Sequence, residues 1–443
     1  MGKAAAQENS ASTLRRLGRN VTILFSGTIV VTLMGVATLA FNTRALGVGE
    51  FGVLVLVQSY SVILNRVFGF DTWQPLIKFG ADANARHDIP GLLAISNLAM
   101  LFDGAAMFLA ASIGIGILYL FPHSFGLSSS QLVAAAVYIA TLCVQLPGAP
   151  VGILRLFDRF VWLTAITAGE AAGRLVASAL LFLWAAPTEA YLYAFAAILV
   201  ASNSVRLLLS LNVLRSATQG ALWLQVASMR AIAPRFIRFS AGSWITATLN
   251  VTRREGTTLF VAALLGPAAA GVYGAAVRLV RPIRDIAELL RQALFPDLSK
   301  LIADAQHATV ARVIRRMLIY TVPLAAVMTA GTLFFGKLGL RIIAGPEYLA
   351  AYWPLVFLAA AAGAYLCTPM LSSLVVLYAG MRVYTICAVG AAGAWALAFA
   401  WPMLEWGVAG AGVGELVYVL AWIGFNSLVL LRVRKLRQLS AQG

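Results

Sequence analysis

The chain has 443 residues, of which 61% are hydrophobic and only 11% charged, with a mean hydropathy of +0.86 and a formal net charge of +16. No soluble globular protein of this length needs so much apolar surface, so the composition excludes a soluble enzyme and indicates a polytopic membrane protein. The three cysteines, Cys143, Cys367 and Cys387, all lie in apolar segments and suggest neither a disulfide framework nor a metal site.

Residues 1–20 are polar and read as a cytoplasmic N-terminal tail. The apolar run that follows, from Val21 to about Phe41, exceeds the 7–15 residues of a signal-peptide core and is expected to be a spanning helix, not a cleaved leader. Twelve spans fit the hydropathy, at roughly 21–42, 51–77, 92–121, 131–153, 160–185, 190–213, 238–265, 270–296, 311–336, 350–379, 383–402 and 408–431. They are expected to be helices, because lipid offers no partner to an open strand. Alternate connections then differ sharply in charge. One set holds nearly all the Lys and Arg outside the spans, including Arg15, Arg16, Arg19, Lys78, Arg86, Arg155, Arg159, Arg230, Arg235, Arg315 and Arg316. The opposite set holds only Arg44, Lys337 and Arg341. By the positive-inside rule the first set and both termini are cytoplasmic. Most of the net charge is therefore a topology signal and not a nucleic-acid footprint.

The two halves echo each other. Leu46-Gly47 and Gly52-Val53 match Leu265-Gly266 and Gly271-Val272, Phe25-Ser26 matches Phe239-Ser240, and Gln74-Pro75 matches Phe295-Pro296. A six-helix repeat predicts an N-terminal lobe over 21–213, an amphipathic cytoplasmic linker over 214–237, a C-terminal lobe over 238–431 and a basic cytoplasmic tail over 432–443. A six-helix unit returns to its starting side, so the lobes are expected to relate by a pseudo-two-fold along the membrane normal. That is the plan of many secondary transporters, with the substrate site at the repeat interface.

Arginines then stand where lipid should be. A charge at the bilayer centre costs roughly 2.5–3.5 kcal/mol on insertion scales, so each needs a compensating reason. The seventh span carries Arg253 and Arg254 about 12 residues from its outer end, roughly 18 Å deep at 1.5 Å per residue. The eighth carries Arg281 about 11 residues in, with Arg278 and Arg284 flanking it and Arg291 near the cytoplasmic end, placed to snorkel. Arg278, Arg281, Arg284, Asp285, Glu288 and Arg291 fall within a helical arc of about 140°, opposite Leu279, Ile283 and Leu290. Pro282 is expected to kink this helix. Pairing of Arg281 with Asp285 and of Arg284 with Glu288 at i, i+4 covers only part of the charge. The surplus predicts a water-filled cationic cavity that receives an anion.

In the first half Arg66 is deep enough to line such a cavity, while Asp71, five residues on, does not share its face. Glu170 and Arg174 stand at i, i+4 and are expected to neutralise each other. Asp103 and Glu415 read as lone intramembrane acids. With Glu170, Glu255 and Asp285 they are the candidates for ion coupling, a structural hydrogen-bonded acid being the alternative for Asp103 and Glu415. Gly407, Gly410, Ala411 and Gly414 form a small-residue stripe read as close helix packing. No phosphate-binding GxxxxGK[ST] is present and His87, His123 and His307 are scattered, so neither ATP hydrolysis nor a metal site is expected.

The stretch FNTRALGVGEFGVLVLVQSYSVIL, with Arg44, Leu46, Gly47, Phe51 and Gly52 after a first helix containing Phe25-Ser26, resembles the polysaccharide biosynthesis (O-antigen flippase-like) family. That family belongs to the multidrug/oligosaccharidyl-lipid/polysaccharide exporter superfamily. The resemblance implies two six-helix lobes opening alternately to each side of the bacterial inner membrane. The cargo it implies is a polyprenyl-diphosphate-linked oligosaccharide for O-antigen, capsule or exopolysaccharide, moved without cofactor or covalent chemistry. The arginines would then meet a diphosphate. Membrane lipid, a polysaccharide polymerase and chain-length proteins are the further partners it implies, around a monomer. A multidrug or organic-cation exporter of the same superfamily and a membrane-embedded glycan-assembly enzyme stand as alternatives. The first calls for acidic cavity residues, and the short outer loops argue against the second.

Overall fold

A computed structural model describes residues 2–221, 226–303 and 307–440. The chain is helical throughout, with no strand among the described residues. The first half contains α1 (Gly2–Phe68), α2 (Trp73–Ala85), α3 (Ile89–Leu120), α4 (Pro122–Phe125), α5 (Ser129–Ala140), a 3-10 turn (Thr141–Val144), α6 (Ala149–Leu156), α7 (Phe160–Leu183) and α8 (Thr188–Ala217). The second contains α9 (Val226–Leu265), α10 (Pro267–Ala303), α11 (His307–Ile343), a 3-10 turn (Pro346–Ala351), α12 (Tyr352–Tyr365), α13 (Thr368–Ala379), α14 (Met381–Trp406) and α15 (Val408–Ser440).

Among the described residues eight helices are long and apolar enough to cross a membrane, and the bent pair Ser129–Val144 with Ala149–Leu156 adds a ninth. Hydropathy alone predicts twelve spans, and the difference has visible sources. The 42-residue stretch Gly27–Phe68 counts once although it bends at Gly47, which lies at φ 67°. α9 and α10 are 40 and 37 residues long, but their arginines lower their hydropathy. α10 continues through Pro282 as one helix.

Two compact units form, one from Met1–Thr38 with Val57–Gly256, the other from Leu39–Leu56 with Thr257–Gly443. In the first unit Leu76, Leu92, Leu93, Ile95, Ala149 and Ile153 pack with Phe236 of α9. Residues 226–237, which the sequence places in the linker, are thus the opening turns of α9, and Met229 and Phe236 are buried. In the second unit Val261, Tyr273, Val280, Leu340, Leu355, Leu358, Phe399 and Met403 form the core. Lipid tails compete equally for apolar side chains, so close packing of small residues carries the cohesion. Gly410 shows this, since a Cβ there would lie 2.1 Å from the Pro402 carbonyl oxygen, and Ala411 beside it is fully buried. Phe108, Leu120, Phe334, Leu397 and Leu404 are exposed, as lipid-facing side chains should be.

Two predicted spans break inside the first unit. The 51–77 span ends as α1 at Phe68 and restarts as α2 at Trp73, with Asp71 in the left-handed region at φ 48°. The 131–153 span bends by 41° between the 3-10 turn and α6, at Pro147-Gly148. Each break frees backbone groups that lipid cannot satisfy. Trp244 Nε1 donates to the Val67 carbonyl at 3.0 Å and Thr248 Oγ1 to the Arg66 carbonyl at 3.3 Å. At the other break Asp103 accepts from Gly148 N at 2.9 Å and Ala149 N at 2.7 Å, and from Thr72 Oγ1 at 2.7 Å.

Candidate functional site

The repeated glycine motifs do matching work in the second unit. Gly47 and Gly266 both take positive φ, at 67° and 87°, and turn the chain between successive helices. Gly52 and Gly271, five residues after each, bring the backbones together. A Cβ on Gly52 would lie 1.8 Å from the Pro267 carbonyl oxygen, and one on Gly271 2.3 Å from the Val48 carbonyl oxygen. Only hydrogen fits there. Tyr348 closes the same end, donating its hydroxyl to the Gly47 carbonyl at 2.9 Å and meeting Phe51 edge-on at 5.9 Å. Arg44 donates to the Ile342 carbonyl.

α10 places its arginines beyond this closure. Arg278 sits 5.0 Å over the Phe51 ring, a cation–π contact. One turn on, Arg281 is 75% exposed, and its Nε lies 3.9 Å from Asp285 Oδ2. Arg284 is only 12% exposed and lies 3.6 Å from Glu415 Oε1 of α15. The sequence reads Glu415 as a lone acid, and the structure gives it a cation. A pairing between helices 131 positions apart, from Arg284 to Glu415, leaves no i, i+4 signal. The face of α10 turned away from Arg278 and Arg281 buries Tyr273, Ala276, Val280 and Ala287, with Arg284 at its edge. One helix therefore carries a packed apolar face and an accessible guanidinium at mid-length. The side chain of Arg291 lies outside the described residues.

Arg66, Arg253 and Arg254 belong to the first unit. Arg253 is 8% exposed, whereas its neighbour Arg254 is exposed. Glu255 accepts from Ser59 Oγ at 3.0 Å. Arg66 grips Asp71 with two parallel bonds of 2.8 and 3.0 Å. The two do not share a face of a continuous helix, as the sequence predicts, but the break after Phe68 swings Asp71 back to the guanidinium.

The remaining acids are engaged. Glu170 pairs with Arg174 at 2.9 Å, as the spacing predicts, and also accepts from Ser202 Oγ at 3.2 Å. Asp103 is 1% exposed and accepts three hydrogen bonds at the two helix breaks. Among the described residues no group of His, Cys, Asp and Glu could hold a metal ion.

Residues 17–302 match the family described as "Polysaccharide biosynthesis protein". The inner membrane protein YghQ of Escherichia coli K12 is 25% identical over 359 residues, which cover 76% of this chain and 95% of that protein. Among solved structures, an inward-facing multidrug resistance MATE family transporter of the MOP superfamily superposes with a TM-score of 0.68 at 13% identity, over 94% of this chain and 99% of the other. The lipid II flippase MurJ, in an inward closed conformation, superposes with a TM-score of 0.65 at 13% identity, over 93% of this chain and 87% of the other. The fold is that of membrane transporters of this superfamily.

Proposed function

The chain belongs to the polysaccharide biosynthesis protein family, and from that premise we propose that it flips a polyprenyl-diphosphate-linked oligosaccharide across the bacterial inner membrane. Its many apolar helices and its inner-membrane relative agree on a multi-pass protein of that membrane. The charge asymmetry of the connections orients it with both termini in the cytoplasm.

The observation that carries the reading is an accessible guanidinium on a charged helix of each unit, Arg254 in the last third of α9 in the first and Arg281 near the middle of α10 in the second. Exposure to lipid would be costly for either, so both face water. Arg254 has no ion pair among the described residues, and the Asp285 carboxylate stands at 3.9 Å from Arg281, beyond hydrogen-bonding range. Planar forks with donors to spare suit a diphosphate, which offers two charges and several acceptor oxygens. Glu170, Glu255, Asp285 and Glu415 each lie against a cation or a hydroxyl, and buried Asp103 holds three hydrogen-bond donors, which disfavours the export of organic cations. Flipping needs no covalent step, only two conformations that bind the cargo differently.

Replacing Arg254 and Arg281 by Gln, singly and together, is expected to abolish surface polysaccharide while the protein still accumulates in the membrane. Adding Arg253→Ala extends the test to the buried neighbour. Intact export with all three arginines removed overturns the assignment. Formation of a new glycan bond by the purified protein from lipid-linked sugar replaces it with the enzyme reading.

A further inference from the structure

The first unit holds a cavity of about 240 Å³ at its two helix breaks, lined by Asn65, Arg66, Asp71, Trp73, Val151 and Arg155 among others. That is smaller than the 300–1,000 Å³ typical of sites for drug-sized ligands, so it suits one small polar group and not a whole lipid-linked glycan. We propose that this cavity is a phosphoryl-binding site, with the Arg155 guanidinium as its principal donor.

The two arginines are prepared differently. Arg66 spends both terminal nitrogens on Asp71, at 2.8 and 3.0 Å. The Arg155 guanidinium carbon lies over the Trp73 indole, 4.5 Å from the ring centre, and the group has no ion pair or hydrogen bond with any described residue. Stacking takes the face of a guanidinium and leaves its N–H edge free, the edge that accepts a phosphate in bidentate fashion. A half-buried cation with no acid of its own is an expensive arrangement unless an anion visits it. Asp71 repels an anion from the Arg66 end of the cavity, so the ligand docks at the Arg155 end. Asn65, held by Gln145 at 3.1 Å, adds a neutral polar wall.

The surrounding fold keeps this geometry. Trp73 opens α2 and Arg155 closes α6, and both helices are registered to α3 through Asp103, by way of Thr72, Gly148 and Ala149. Trp73 and Arg155 are thus placed by the same buried carboxylate, on two helices that also pack directly on each other, Leu76 of α2 against Ala149 and Ile153 of α6. Two sources of a phosphoryl group are compatible with this chemistry: phosphate on a soluble molecule and the headgroup of a membrane lipid.

The test uses the full chain in detergent and in nanodiscs. Inorganic phosphate is titrated at constant ionic strength, with chloride as the reference, and binding is read from the rise in melting temperature. Wild type and the surface control Arg86→Gln should show the rise equally. Arg155→Gln should weaken apparent binding by at least about tenfold, and Arg155→Lys, which keeps the charge but not the fork, should fall between. Trp73→Leu, which removes the stack, should weaken it as well. Loss of the phosphate effect in phosphatidate nanodiscs, but not in phosphatidylcholine nanodiscs, assigns the site to a lipid headgroup. Equal effects in both assign it to a soluble phosphate. No response to phosphate, or the same response in wild type, Arg155→Lys and Arg155→Gln, overturns the inference. Binding is measured without transport, so export lost in Arg281 variants and binding lost in Arg155 variants are separate outcomes.

Discussion

Replacing Asp103 discriminates between a structural clamp and an ion-coupling site. The carboxylate is 1% exposed and holds three donors, with Thr72 Oγ1 on one oxygen and Gly148 N and Ala149 N on the other, all at 2.7–2.9 Å. Asp103→Asn can keep this shape. Its amide oxygen can serve the two backbone N–H groups while its NH₂ faces Thr72, whose hydroxyl turns to accept. What is lost is charge assistance, so the cost should be about 1–3 kcal/mol. Asp103→Leu leaves three donors without a partner at about 1–3 kcal/mol each, enough to exhaust the margin of the unit. Size-exclusion profiles after stepwise heating in detergent should therefore rank wild type above Asp103→Asn, with Asp103→Leu failing to accumulate. Thr72→Val should resemble Asp103→Asn. Export by Asp103→Asn, once corrected for protein in the membrane, should keep the wild-type pH dependence, because a clamp does not need to titrate. A variant that melts like wild type but loses export, or loses its pH dependence, would refute the clamp and restore the coupling role.

Two further expectations concern the second unit. Glu415→Gln removes the carboxylate 3.6 Å from the 12%-exposed Arg284, and breaking a buried pair from one side costs about 3–5 kcal/mol. The double variant Glu415→Gln/Arg284→Met should melt above Glu415→Gln, and strict additivity of the single effects would show that the two side chains do not interact. Gly52→Ala and Gly271→Ala should each cost at least about 1–3 kcal/mol by overpacking, measured as melting temperature. Gly35→Ala and Gly116→Ala, where a Cβ meets nothing within 4 Å, should be near neutral.

How far the site could be read from the sequence depended on whether its signals were local. The helical class followed from composition, and Glu170–Arg174 from i, i+4 spacing. The repeated Leu-Gly and Gly-Val pairs marked two turns and the two sides of one backbone crossing, because a positive φ and a contact that only hydrogen fits both demand glycine whatever surrounds them. What failed was the assumption of continuous helices. Arg66 and Asp71 stand on different faces of an unbroken helix, yet four non-helical residues after Phe68 make them a bidentate pair. That break is recorded in the sequence only weakly, by Gly69 and by an acid at φ 48°, and its support comes from Trp244 and Thr248 far along the chain. Long-range partners explain the other gaps. Glu415 and Asp103 look alone because Arg284, Gly148 and Ala149 are distant in sequence, and Arg155 looks like one more topology charge until Trp73 is seen beneath it. Inside a membrane a polar side chain without a local partner is thus a sign that the fold supplies one from elsewhere. Where the structure shows no acid for a partly buried cation, as at Arg155, the same reasoning points to an anion from outside the chain.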